Sequence, residues 1–89
     1  MTRIQTNILN RLGLHARAAA LLVRMANEYN SEVMLIKSGQ TANSKTIMEV
    51  LMIGAAQGDE LIIQANGEDE KEAVAAIAKL IGDRFNELE

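Results

Sequence analysis

The residues in this sequence most able to do chemistry are His15 and Arg17, which stand just after a turn containing Gly13 and just inside a helical apolar pattern. Imidazole is a nucleophile near neutral pH, because an appreciable fraction of its rings carries no extra proton. A helix that starts after His15 leaves its first backbone N–H groups without intrahelical partners. Those amides, here of Ala16, Arg17 and Ala18, together with the positive end of the helix dipole, suit phosphate oxygens. The Arg17 guanidinium can turn its planar fork toward the same anion with a geometry that lysine does not match. A phosphoryl group held on the ring of His15 is therefore the expected chemistry. By spacing alone the pair also fits an imperfect cap followed by a solvated arginine, since His-x-Arg is a weak motif.

The elements that must position this pair can be read from hydrophobic periodicity. Ile4, Thr6 and Ile8 alternate with Arg3, Gln5 and Asn7, which predicts a first strand over 2–8. Asn10 to Leu14 break the alternation, and Ala19, Leu22, Val23 and Ala26 then recur at helical spacing, giving a helix from Ala16 to about Tyr29. The segment 32–37 holds the short apolar run Val33 to Ile36 and is expected as a strand, and 40–43 could return as its hairpin partner around Ser38-Gly39. Thr46-Ile47-Met48-Glu49 has the form of a capping box, so a short helix is expected over 47–53 and should stop at Gly54. Leu61, Ile63 and Ala65 mark another strand after the Gln57-Gly58-Asp59 turn. Asp69 and Glu72 are expected to cap a long amphipathic helix whose stripe is Ala73, Ile77, Leu80, Ile81, Phe85 and Leu88, with Gly82 fraying or ending its regular part.

The order is strand, helix, strand, strand, helix, strand, helix, in one domain spanning 1–89. It predicts an α+β fold, an open-faced sandwich with helices on one face of a four-stranded antiparallel sheet. At 89 residues there is material for one modest core. With only Tyr29 and Phe85 aromatic, that core should consist of Ile, Leu, Val, Met and Ala.

Composition also excludes functions. The formal charge is −3 and the basic residues are dispersed without aromatic partners, which speaks against nucleic acid. The absence of cysteine removes thiolate metal sites, disulfides and cysteine nucleophiles. A lone histidine supplies too few ligands for a metal site, and no nucleotide-binding glycine pattern is present, so neither metal nor cofactor is expected. No stretch approaches the roughly 18 apolar residues of a membrane span, and no export signal is visible, so a cytoplasmic location without membrane insertion is expected. The acidic segments, Glu68 to Glu72 and Asp83 to Glu89, read as solvated helix faces with no site.

The segment Gly13-Leu14-His15-Ala16-Arg17-Ala18-Ala19-Ala20 resembles the active-site motif of the histidine-containing phosphocarrier (HPr) family, usually Gly-Leu-His-Ala-Arg-Pro-Ala. A second segment, from Asn43 to Gly54, resembles that family's other signature, in which Ser or Thr opens a short helix and Gly closes it. The element order agrees across essentially the whole chain. The resemblance implies that His15 accepts a phosphoryl group through Nδ1, with Arg17 as its partner. The donor would be a phosphoenolpyruvate-dependent enzyme I, and the recipient an EIIA-type domain of a sugar transport system. The chain would then be a carrier whose chemistry partner enzymes complete, not itself an enzyme.

The resemblance further implies a docking surface of Ala20, Leu21, Arg24, Ile47, Met48 and Leu51, with Lys45 nearby; core packing is the competing role for its apolar members. Thr46 falls where related proteins carry a regulatory seryl phosphorylation site, which would bring in an HPr kinase/phosphorylase, while its place in the capping box already gives it a structural role. Ala18 departs from the family's proline. Proline would fix φ in the first turn and leave no free N–H, so alanine should loosen that turn, add an amide donor and alter the rate or partner preference of transfer. Two other functions share the pattern in part: a carrier of a nitrogen-related regulatory branch, which also uses His15, and a regulatory binding module that needs neither His15 nor Arg17. No feature signals an obligate oligomer, so a monomer forming transient complexes is expected.

Overall fold

A strand of alternating polarity buries one face only, and four such strands here need a cover. The computed structural model describes residues 1–89 and supplies it with helices. The elements are β1 (Thr2–Asn7), α1 (Ala16–Ala26), β2 (Glu32–Lys37), β3 (Gln40–Asn43), α2 (Ile47–Met52), β4 (Glu60–Asn66) and α3 (Glu70–Gly82), followed by a 3-10 turn at Arg84–Asn86. The sheet order is β1-β4-β2-β3, antiparallel throughout. The register pairs Ile4 with Ile63, Val33 with Ala65 and Leu35 with both Ile63 and Ala42, so the apolar positions share one face. That face, except for Ile4, which is exposed, packs with α1 and α3 into a cluster of 21 buried apolar residues.

The expected β2–β3 hairpin is present. Lys37 pairs with Gln40, and Ser38 (φ 49°) and Gly39 (φ 82°) are both left-handed, as the tight primed turn that matches strand twist requires. Helix α1 stops at Ala26, earlier than its periodicity suggests. The Asn27 carboxamide donates to the Val23 carbonyl at 2.9 Å, as does the Asn27 backbone N–H at 3.0 Å, so Asn27 closes the helix on that one acceptor.

Two expected caps take other partners. Thr46 occupies the N-cap of α2 with no side-chain cap bond, and Glu49 instead accepts the Asn43 N–H at 2.9 Å. The last amide of β3 has no strand beyond it to pair with, and it captures the carboxylate. Asp69 sits at the N-cap of α3, but its carboxylate accepts from the Asn30 and Ser31 amides, both at 2.9 Å, and from the Ser31 hydroxyl. Glu72 is exposed, and Glu70 is the first-turn acid that is used. It accepts from the Thr2 hydroxyl at 2.6 Å and pairs with the Met1 ammonium at 2.9 Å. These contacts, the Thr2 bond foremost, lower its pKa to about 2.

The core differs from expectation in two respects. No methionine is fully buried, and Phe85 is the largest side chain that is. Leu88, expected on the α3 stripe, is fully exposed. The cause is a reversal after Gly82: Arg84, Phe85 and Asn86 adopt φ of 56°, 53° and 63° in succession. Left-handed backbone is costly for side chains other than Asn, Asp and Gly, and it persists only when surrounding structure over-determines it. The burial of Phe85 does that here, and it turns the chain end back toward the start of α1.

Candidate functional site

Gly13 fixes the approach to the site. Its φ of 65° is left-handed, and a Cβ there would lie 2.7 Å from the Ala55 carbonyl oxygen and 3.0 Å from the Ala56 Cα. Only glycine lets the loop press this closely on the 55–56 segment, where Leu14 N–H donates to the Ala55 carbonyl at 2.9 Å. His15 then takes the N-cap of α1 in extended conformation, with no side-chain cap bond. The first intrahelical bond runs from Ala19 N–H to the His15 carbonyl at 2.8 Å. The amides of Ala16, Arg17 and Ala18 therefore precede the ladder, as the sequence predicts. The side chain of Ala18 is fully buried, while Ala16 and Arg17 are exposed.

The chain end completes the site, and no sequence pattern foretells it. Asp83 to Glu89 do not form a solvated helix face. Glu87 places its carboxylate between His15 and Arg17, accepting from His15 Nε2 at 2.5 Å and from Arg17 Nη1 at 3.1 Å. Its other oxygen accepts from Asn10 Nδ2 at 2.9 Å, and the same Nδ2 also donates to the Gly13 carbonyl at 2.8 Å. Arg17 Nη1 further donates to the Phe85 carbonyl at 3.2 Å. Arg11 pairs with Glu89, Nε to carboxylate at 3.1 Å. Burial pushes the Glu87 carboxyl up, but hydrogen bonds from Asn10 and His15 and the Arg17 charge outweigh it and hold its pKa below the usual value. No local sequence signal marks Glu87; it reaches His15 across 72 positions by virtue of the left-handed turn.

A cavity of about 480 Å³ opens here, lined by His15, Arg17, Arg11, Leu12 and the tail. Its chemistry is one imidazole, two guanidiniums and two carboxylates around an accessible ring. No grouping of His, Cys, Asp and Glu suited to a metal is present.

Of the expected docking residues, Ala20 and Arg24 on α1 and Ile47 and Met48 on α2 are exposed, and Leu21 and Leu51 are half-buried against the core. Leu12, 61% exposed, and Met52, 77% exposed, add apolar surface that the sequence pattern does not single out. Lys45 is turned aside, donating to the Tyr29 carbonyl at 2.7 Å. Thr46 is exposed. No helix is long and apolar enough to cross a membrane.

An α+β open-faced sandwich with histidine at a helix N-terminus, arginine two residues on and an accessible cavity is an arrangement suited to holding a phosphoryl group, the chemistry of a small phosphocarrier. Comparison with known proteins agrees. The family model described as the PTS HPr component phosphorylation site matches residues 2–83. Phosphocarrier protein HPr of Cupriavidus necator is 40% identical over 89 residues, covering all of both chains. The crystal structure of HPr-C-His from Thermoanaerobacter tengcongensis superimposes with a TM-score of 0.96 at 37% identity, covering both chains fully. An HPr dimer structure from the same organism matches with a TM-score of 0.79 at 38% identity, over 98% of this chain and 100% of that one. The chain belongs to the HPr phosphocarrier family of the phosphotransferase system.

Proposed function

We propose that the chain accepts a phosphoryl group on His15 from a phosphoenolpyruvate-dependent enzyme I and passes it to an EIIA-type acceptor in sugar uptake. The observation that carries this reading is the His15 ring at the start of α1, beside Arg17 and ahead of three amides outside the helical ladder. Arg17 and those amides supply charge and donors for phosphoryl oxygens. The chain acts as a carrier, not as an enzyme, because each transfer step needs the reactive group of a partner. It works in the cytoplasm as one domain and as a single chain in transient complexes, although one relative's solved structure is described as a dimer.

Partners dock over α1 and α2 through Ala20, Leu21, Arg24, Ile47, Met48 and Leu51. The adaptable shape of methionine suits a surface that meets a donor and an acceptor in turn. Thr46 is a regulatory phosphorylation site for an HPr kinase/phosphorylase. Its side chain makes no cap bond, so a phosphate there costs the fold no existing hydrogen bond.

The test is incubation with phosphoenolpyruvate and enzyme I, followed by intact-mass analysis before and after acid treatment. One acid-labile phosphoryl adduct that moves to an EIIA domain is expected. Absence of an adduct with sugar-branch enzyme I, together with transfer from a nitrogen-branch donor, would assign the chain to the regulatory branch. No adduct with either donor would favour a binding module.

Ala18→Pro gives a further expected result. The Ala18 amide lies before the first intrahelical bond, so proline removes no helical bond. The unfolded chain loses freedom, and stability should rise by about 0.4–1 kcal/mol in thermal melts. Transfer rates to at least one partner should change; unchanged kinetics with every partner would discard a role for Ala18. A fall in melting temperature would mean that the buried Ala18 site has no room for the ring.

A further inference from the structure

We infer that Glu87 is a positioning residue for phosphoryl transfer: it takes the His15 Nε2 proton in a hydrogen bond, leaves Nδ1 as the nucleophilic atom, and balances the charge the ring acquires on phosphorylation. This rests on the carrier reading above. A carboxylate can only accept here, so the ring nitrogen facing Glu87 must carry hydrogen, and a neutral ring then has its lone pair on Nδ1. The arrangement follows the carboxylate–imidazole logic by which a buried acid fixes a tautomer and stabilises an imidazolium.

The charge balance of the step supports the assignment. The Nδ1 lone pair forms a bond to phosphorus as the bond from phosphorus to the donor's leaving atom breaks, and the donor keeps that electron pair. Nε2 retains its proton throughout, so the ring becomes an imidazolium bearing a phosphoryl group. The Glu87 carboxylate, already against Nε2, meets that new positive charge without moving. The charged groups that share the cavity with the ring are Arg11, Arg17, Glu87 and Glu89. Arg11 pairs with Glu89, and Glu87 is the carboxylate in contact with the ring.

Glu87 also orders Arg17. Nη1 is engaged by Glu87 and by the Phe85 carbonyl, which fixes the plane of the guanidinium while Nη2 and Nε make no protein hydrogen bond. Those donors are the ones available to phosphoryl oxygens. Buried Asn10 holds the second Glu87 oxygen, so the carboxylate is itself locked in place.

Glu87→Ala and Glu87→Gln, compared with wild type, test this. The first measurement is 15N chemical shifts of the His15 ring at a pH where the ring is neutral, and it needs no donor. Wild type should show a predominant Nε2–H tautomer, alanine a mixture, and glutamine, whose amide oxygen can still accept, a value near wild type. The second is the rate of acid-labile adduct formation with enzyme I, expected to fall roughly tenfold in Glu87→Ala with partial recovery in Glu87→Gln. A wild-type tautomer in Glu87→Ala would overturn the inference. So would an unchanged or faster rate, the latter meaning that the carboxylate competes with phosphate for Arg17. Failure of wild-type protein to form any adduct would sink the carrier reading and with it the transfer role, and the tautomer would still decide whether Glu87 fixes the His15 ring.

Discussion

Phosphoryl acceptance should disappear entirely in His15→Ala. The chain has one histidine and no cysteine, so no second imidazole or thiolate can take over. Of the other side chains lining the cavity, guanidiniums, an amide and leucines are not phosphoryl acceptors, and the two carboxylates are engaged in ion pairs with Arg11 and Arg17. Folding should survive. The ring is 27% exposed and makes no cap bond, and its removal leaves Glu87 still held by Asn10 and Arg17. The expected stability change is about 1 kcal/mol or less. Intact mass with enzyme I and phosphoenolpyruvate, paired with a thermal melt, separates the two effects. An acid-labile adduct that persisted in a folded His15→Ala protein would place the nucleophile elsewhere.

Phe85→Ala should be the most destabilising single truncation in the core. Phe85 is fully buried and is the largest such side chain in the molecule. Truncating a buried phenylalanine costs about 3–5 kcal/mol from lost burial and the cavity left behind. For a domain of this size that corresponds to a drop of roughly 12–40 °C in melting temperature. The same ring over-determines the left-handed run from Arg84 to Asn86, so its loss should also free the tail and remove Glu87 from His15. A small drop in melting temperature with the His15 tautomer unchanged would show that the tail is held by its polar contacts alone.

Much of this was legible in the sequence, for physical reasons that differ by element. β2 and β3 carried a short apolar run and a Ser-Gly turn, and their observed ends match the expected ones. The placement of His15 and Arg17 at a helix start was legible because a turn followed by helical periodicity is a local property. The failures were those of partner choice. Thr46 and Glu49 carry the capping pattern, but an amide outside the helix with no other acceptor, that of Asn43, took the carboxylate. Asp69 was likewise drawn to Ser31 and Asn30 across the fold. Glu87 was unreadable because helical periodicity runs on smoothly through Phe85, while the actual backbone reverses there. Left-handed arginine and phenylalanine have no signature in composition or spacing.

The position of β4 has a consequence for how the molecule comes into being. β1 pairs only with β4, and β4 alone joins it to the β2–β3 hairpin. During synthesis the first strand and the hairpin therefore emerge with nothing to join them, and the apolar faces of β2 and α1 wait uncovered until residues 60–66 clear the ribosome. His15 is made early, while the carboxylate that contacts it follows 72 residues later. A nascent chain thus exposes His15 well before it can hold that ring in its final setting, so competence for transfer should arrive late and all at once.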